Sequence, residues 1–158
     1  MIKKIIWLFA MTVFFLLPSG CSSDGDGKEA RQSLIKTTQP APIELNDQEK
    51  DKSVAYQVRE DVKKINEIYD VAVIEGKKKI LVVYKVRHLQ RFKMKKIEKN
   101  LQEKLKEKYP DKKFIVSSDY KIFLETIRLK EEMEKENITV DEAKKRFKKI
   151  IKLKKEMT

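Results

Sequence analysis

Residues 69–86 read YDVAVIEGKKKILVVYKV, two apolar runs separated by a glycine and charged residues. Residues 69–74 and 80–86 are rich in β-branched and aromatic side chains, which favours β-strands. Because Glu75-Gly76-Lys77 is a short turn sequence, the two strands are predicted to form a hairpin. One face of the second strand is apolar, with Ile80, Val82, Tyr84 and Val86. Other elements must cover that face.

Amphipathic helices are predicted on both sides of the hairpin. Before it, Ser53 stands in an N-cap position, and apolar residues then recur at helical spacing: Val54, Val58, Val62 and Ile65. After it, a second apolar stripe consists of Met94, Ile97, Leu101 and Leu105. Pro110 ends this helix because proline cannot continue one. Residues 114–116 (FIV) are predicted to form a third strand.

Two more helices are predicted towards the C-terminus. Ser117-Ser118-Asp119 supplies capping side chains before a helix that opens with Tyr120, Phe123, Leu124 and Ile127. Thr139 and Glu142 form a capping box before the last helix. The buried stripe of that helix is predicted to be Val140, Ala143, Phe147, Ile150 and Ile151. The predicted fold class is α+β, a small two-layer α-β-β-α-β domain followed by two helices. Helices 53–66 and 93–108 should share one sheet face.

The N-terminus has the pattern of a signal peptide. Lys3 and Lys4 precede an apolar run over residues 5–17, which is shorter than the ~20 residues of a spanning helix. Ser19-Gly20 then leads directly into Cys21, the only cysteine. This arrangement resembles bacterial lipoproteins, although Pro18 stands where their cleavage motif usually has leucine. The resemblance implies diacylglycerol on Cys21 and attachment to the extracytoplasmic face of a membrane. A secreted protein or an uncleaved anchor is the alternative.

The predicted organisation has four parts. Residues 1–20 are the signal peptide and residues 21–52 a lipid-anchored tether. The tether contains Gly25, Gly27, Pro40 and Pro42 among polar residues, a composition typical of disorder. Residues 53–129 are the folded domain, and residues 130–158 a basic helical extension.

Positive charge dominates the chain, with 37 Lys and Arg against 25 Asp and Glu. Removing residues 1–20 takes away two lysines and leaves a net charge of +10. Such an excess favours polyanionic partners, although it also serves solubility alone. The basic residues concentrate at Lys77-Lys78-Lys79, in residues 87–96 and in the last helix.

In the last helix, four residues are predicted to contact an anionic surface: Lys145, Lys148, Lys149 and Lys152. Acidic lipid or a wall polymer is the expected partner, and a merely solvated helix face is the alternative. Nucleic acid is not expected, because the predicted export separates the protein from it and Phe92 alone makes no stacking platform. The sequence does not specify a protein partner.

The inventory of reactive residues predicts that the protein is not an enzyme. With one cysteine and one histidine, His88, the chain cannot supply the four ligands of a usual zinc site. It has no glycine-rich phosphate loop. His88 follows a predicted strand beside Arg87, where a surface role is expected. No cofactor, metal or catalytic residue is predicted.

Four stretches match a family pattern: VKKINEIYDVAVIEG at residues 62–76, ILVVYKV at 80–86, Lys108-Tyr109-Pro110, and FIVSSD at 114–119. Through them, residues 55–127 resemble the YhcN/YlaJ-type sporulation lipoproteins of spore-forming Gram-positive bacteria. Glu125-Thr126-Ile127 stands where members often carry an Arg-Ile pair, and residues 130–158 look specific to this chain.

The resemblance has consequences for fold and function. It implies a fold similar to the α-β-β-α-β domains called BON domains, which associate with membranes and envelopes. It also implies a lipoprotein that is made during sporulation, resides in the spore and affects germination, with no known reaction. The alternative is a binding module for cortex or wall polymer, or for another spore protein.

Overall fold

The structure, a computed structural model, describes residues 38–45 and 53–157, all within one compact unit. The strands are β1 Ile43–Glu44, β2 Ile68–Glu75, β3 Lys79–Val86 and β4 Lys113–Ser117. The α-helices are α1 Val54–Lys63, α2 Met94–Lys108, α3 Tyr120–Glu134 and α4 Val140–Glu156. A 3-10 helix, His88–Lys93, precedes α2. The α+β class and the predicted element order are confirmed, with β1 and the 3-10 helix in addition.

The strands form one mixed sheet in the order β1-β2-β3-β4. The predicted hairpin is the antiparallel pair β2 and β3, in which Val73 lies opposite Val82. Its turn is closed by the Gly76 N–H, which donates to the Lys79 carbonyl over 2.9 Å. β4 pairs with β3 in parallel, and β1 pairs with β2 in parallel. The hairpin and the predicted third strand therefore belong to one sheet, as expected.

One sheet face packs against α1 and α2. Its core contains Val82 and Tyr84 of β3, which pack with Val58 of α1 and with Leu101 and Leu105 of α2. These two helices lie on the same face, as the sequence predicts. α1 ends at Lys63, so Ile65 follows the helix, but its side chain still packs against this core.

The other face packs against α3 and α4. Its core contains Leu81 and Val83 of β3, with Phe123 of α3 and with Phe147 and Ile150 of α4. Both faces of the hairpin are thus buried, which accounts for its nearly continuous apolar sequence. The α-β-β-α-β unit has two layers, and α3 and α4 add a third.

Two details of the C-terminal part differ from the sequence analysis. The expected boundary between residues 129 and 130 falls inside α3, which runs over Tyr120–Glu134. Val140 was expected in the buried stripe, but it is 51% exposed. It is the first residue of α4, and contact with the core begins one turn later, at Ala143. The other four residues of the stripe are buried, as predicted.

The prediction of a disordered tether is wrong for residues 38–45. β1 pairs with β2 in register, so that Ile43 lies opposite Ile74, and the Leu45 N–H donates to the Glu75 carbonyl over 2.9 Å. Ile43 and Leu45 are buried in the core that α3 and α4 cover. The polar composition of residues 21–52 concealed these two apolar side chains, because an average over a long segment hides a short strand.

Polar contacts also hold this segment in place. The Asp70 carboxylate accepts hydrogen bonds from the Thr38 and Gln39 N–H groups, each over 2.9 Å. Arg59 of α1 donates to the carbonyl oxygens of Gln39 and Pro40 over 2.8 and 2.9 Å. These partners are distant in sequence, so local patterns did not indicate them.

The predicted helix caps are present. The Ser53 hydroxyl accepts from the Tyr56 N–H over 3.4 Å, and the Asp119 carboxylate accepts from the Ile122 N–H over 3.0 Å. Thr139 and Glu142 form the predicted capping box. The hydrogen bond from the Thr139 N–H to the Glu142 carboxylate, together with one from the Thr139 hydroxyl, keeps the pKa of Glu142 below its ordinary value.

Candidate functional site

The β2–β3 turn lies directly against α4 because the turn contains Gly76. A Cβ atom at Gly76 would lie 2.6 Å from Cε1 of Phe147, which is closer than non-bonded carbon atoms approach. Phe147 is 6% exposed and belongs to the core between α4 and the sheet. The absence of a side chain at Gly76 therefore allows the aromatic ring to pack against the turn.

This contact creates a groove of about 690 Å³ between the turn and α4. Its floor includes Leu45, Phe147 and Ile151. Its walls carry the lysines of the turn and one side of α4, which are Lys77, Lys78, Lys79, Lys144, Lys148, Lys152 and Lys155. All seven are exposed. We call this feature, with its apolar floor and seven lysines, the basic groove.

The helical repeat explains why four lysines of α4 face the turn. Positions 144, 148, 152 and 155 are separated by four, four and three residues, so their side chains project from one side of the helix. The buried positions Ala143, Phe147, Ile150 and Ile151 lie beside them and hold α4 on the sheet. The same periodic sequence thus provides both the contact with the core and the row of lysines.

Few acidic side chains compensate the positive charge of the groove. Lys144 pairs with Asp141 over 3.7 Å and Lys152 with Glu156 over 3.6 Å, and both pairs are exposed. Exposed ion pairs of this kind contribute little energy. No carboxylate within residues 38–45 and 53–157 pairs with the other five lysines. Seven ammonium groups around one groove produce a positive potential that a bound anion would relieve.

The four lysines predicted as anion contacts do not form one site. Lys148 and Lys152 line the basic groove, whereas Lys145 and Lys149 are exposed outside it. Lys149 lines a second, smaller depression together with Glu125 and Glu156, where the charges are mixed. In the sequence, the turn lysines and the α4 lysines form separate groups. Their approach depends on the contact between Gly76 and Phe147.

Ion pairs fix the orientation of α4. Arg146 pairs with Glu132 of α3, and with Glu125 over 3.4 Å. The hydrogen bond to Glu132 is the main reason why the pKa of Arg146 rises above its ordinary value. Near the other end of α4, Lys154 donates to the Glu98 carboxylate of α2 over 3.2 Å. Because these contacts join α4 to two other helices, its lysine row stays beside the turn.

The groove lining consists mainly of ammonium groups and apolar side chains, a chemistry suited to binding an anion that has an apolar part. Within the described part of the chain, no cluster of three or more His, Cys, Asp or Glu side chains could hold a metal ion. No helix there is both long and apolar enough to cross a membrane.

The predicted lipidation site, Cys21, lies outside the described residues, as do the predicted signal peptide and part of the predicted tether. Comparisons with protein-family models, with curated proteins and with solved structures found no match to this chain.

Proposed function

We propose that this protein is a non-catalytic, lipid-anchored envelope lipoprotein of the sporulation class, whose folded unit binds anionic lipid through the basic groove. The observation that carries the proposal is the approach of Lys77-Lys78-Lys79 to the lysine row of α4. The signal-like sequence before Cys21 and the resemblance to YhcN/YlaJ-type sporulation lipoproteins support the anchor and the place in the spore envelope.

The expected contributions to membrane binding favour a role for both the lipid anchor and the basic groove. Two acyl chains on Cys21 would give stable membrane attachment, whereas a single chain is marginal. Each lysine close to an anionic bilayer contributes about 1 kcal/mol. Three or four groove lysines acting together would hold the folded unit against the lipid headgroups. The anchor would thus determine where the protein resides, and the groove would add affinity for anionic headgroups.

The groove predicts salt-dependent binding to anionic vesicles. A soluble protein of residues 22–158 contains all described residues and lacks the predicted anchor. It should sediment with phosphatidylglycerol vesicles at low salt and dissociate as salt rises, since screening acts over ~10 Å at 0.1 M. Phosphatidylcholine vesicles should not retain it. Replacing Lys148 and Lys155 with glutamate should weaken binding on the order of 100-fold or more, because attraction becomes repulsion at two positions.

A matched control comes from the same helix. Lys145→Glu with Lys149→Glu makes the same change in charge outside the groove, and it should weaken vesicle binding at least tenfold less than the groove pair. Equal losses in the two variants would show that net charge, not the groove, governs binding. If the unaltered protein does not bind phosphatidylglycerol vesicles at low salt but binds a phosphate-rich wall polymer, the lipid assignment is wrong and the polymer-binding alternative replaces it.

The anchor has its own test in cells. Metabolic labelling with a fatty-acid analogue should mark the protein, and Cys21→Ala should abolish the label because the thiol is its predicted attachment point. The Cys21→Ala precursor should also keep its N-terminal segment. Cys21 is the only cysteine, so no second thiol can accept the lipid. Label that persists in Cys21→Ala would disprove the assignment.

A further inference from the structure

The 3-10 helix His88–Lys93 displays two large apolar side chains to solvent. Leu89 is 79% exposed and Phe92 is 80% exposed. They are three residues apart, which is one turn of a 3-10 helix, so they project from the same side. We call Leu89 and Phe92 the apolar wedge. Single apolar residues are ordinary on a surface, whereas exposed apolar residues that lie together are candidates for an interaction site.

The apolar wedge is separate from the basic groove. The groove includes Lys79, the first residue of β3, whereas the 3-10 helix follows Val86, the last residue of that strand. A strand of this length separates its ends by roughly 25 Å. An anion in the groove therefore does not account for the exposure of Leu89 and Phe92.

Hydrogen bonds to backbone carbonyls hold the start of the 3-10 helix in place. The Arg87 N–H donates to the Glu67 carbonyl over 2.9 Å, and its guanidinium donates to the Asn66 carbonyl over 2.8 Å. On the other side, the 3-10 helix runs directly into α2, in which Ile97 is buried in the core. The wedge is thus carried by an element that is anchored at both ends.

The sequence that carries the wedge is basic or neutral throughout. Residues 87–96 read RHLQRFKMKK and contain no acidic residue. Four cations beside the apolar pair are exposed, and these are Arg91, Lys93, Lys95 and Lys96. None of the four has an ion pair with a carboxylate of the described residues. Exposed apolar side chains bordered by lysine and arginine have the composition of elements that lie in a membrane interface.

We infer that Leu89 and Phe92 insert into the boundary between headgroups and acyl chains of an anionic bilayer, while the four neighbouring cations contact lipid phosphates. Charge complementarity selects this occupant, because four exposed cations that make no ion pair within the described residues favour a polyanionic surface. Long basic side chains can reach the phosphates while the apolar tips enter the lipid. The inference goes beyond the proposed function, since it requires neither the basic groove nor lipid on Cys21.

A single tryptophan can report the insertion. The only tryptophan is Trp7, so the soluble protein of residues 22–158 has none and Phe92→Trp introduces a unique fluorophore. With phosphatidylglycerol vesicles, its emission should shift to shorter wavelength, and lipids brominated on their acyl chains should quench it. Unchanged emission in the vesicle-bound protein would overturn the inference. So would a shift without vesicles that grows with protein concentration, because it would assign the wedge to a contact between copies of the chain.

Binding measurements provide a matched pair of variants. Leu89→Ser with Phe92→Ser should weaken partitioning into phosphatidylglycerol vesicles by roughly tenfold, from the lost transfer of apolar surface. Val140→Ser with Met157→Ser removes two other exposed apolar side chains and should leave partitioning within about twofold. Equal losses would refute the wedge. All four residues are at the surface, so thermal unfolding should confirm that both variants fold.

The wedge and the groove can fail separately. In the Lys148→Glu, Lys155→Glu background, the tryptophan at position 92 should still shift at saturating vesicle concentration. If that shift persists and the Lys148→Glu, Lys155→Glu variant binds vesicles as well as the unaltered protein, the inference about the wedge holds and the proposed role of the groove is wrong. If the Lys148→Glu, Lys155→Glu variant loses binding and the Phe92→Trp protein shows no shift with vesicles, the proposed role of the groove holds and the inference about the wedge is wrong.

Discussion

Replacing Asp70 with alanine is expected to lower the free energy of unfolding by about 3–5 kcal/mol, the range for breaking a buried ion pair by removing one partner. Asp70 is 1% exposed, and its carboxylate lies 3.5 Å from the ammonium of Lys85, which is 7% exposed. Burial lowers the pKa of Lys85, and Asp70 opposes that effect. Without Asp70, the buried ammonium loses the carboxylate that lies 3.5 Å away. Thr38 and Gln39 also lose the acceptor of their hydrogen bonds.

Urea unfolding of the protein of residues 22–158 measures the effect of Asp70→Ala. Glu60→Ala is the control, because Glu60 is exposed and its ion pairs with Arg59 and Lys63 should contribute less than about 1 kcal/mol. Adding Lys85→Met to Asp70→Ala should restore more than half of the loss, since an apolar side chain of similar length replaces the buried charge. If Asp70→Ala costs no more than Glu60→Ala, the pair does not anchor the sheet.

Phe147→Ala is expected to destabilise the protein by about 3–5 kcal/mol, as truncation of a buried phenylalanine usually does. Phe147 is part of α4, and its ring packs in the core between α4 and the sheet and against the turn. The variant therefore loses apolar contacts with the core and with the turn. Val140→Ala, at an exposed position of the same helix, should cost less than about 1 kcal/mol. A cost for Phe147→Ala as small as that for Val140→Ala would contradict the packing described above.

A double-mutant cycle with Gly76 tests the contact itself. Gly76→Ala alone should destabilise by about 1–3 kcal/mol, because the new methyl group overlaps the Phe147 ring. In the Phe147→Ala background the same change should cost far less, because the overlapping ring is gone. If the destabilising effects of Gly76→Ala and Phe147→Ala are additive, the effect of Gly76→Ala does not come from overlap with the Phe147 ring. Circular dichroism at low urea concentration would show that each variant still folds.

Local patterns predicted most of the secondary structure. The alternation in residues 80–86 and the capping residues Ser53 and Thr139 each act within a few positions of the chain. A strand period or a helix cap depends on such near neighbours, so single-sequence reasoning can detect it. The same reasoning identified the lysines at the hairpin turn and along the last helix, although only as separate groups.

The limits of local reasoning appear at β1 and at the basic groove. Ile43 pairs with Ile74, and Thr38 bonds to Asp70, across about thirty residues of chain. The groove likewise requires Gly76 and Phe147 to meet. Contacts between distant residues depend on how the layers pack, which no local repeat encodes.

By itself, the sequence determined the α+β class, the order of the α-helices and of the strands after β1, and the basic character of the last helix, because these follow from composition and from the spacing of near neighbours. Only the tertiary structure decided that α3 and α4 cover the second sheet face, and that Lys148 and Lys152 join the turn lysines while Lys145 and Lys149 do not. The physical reason is that burial of the second face of the hairpin selects the rotation of α4. That rotation determines which of its lysines face the groove.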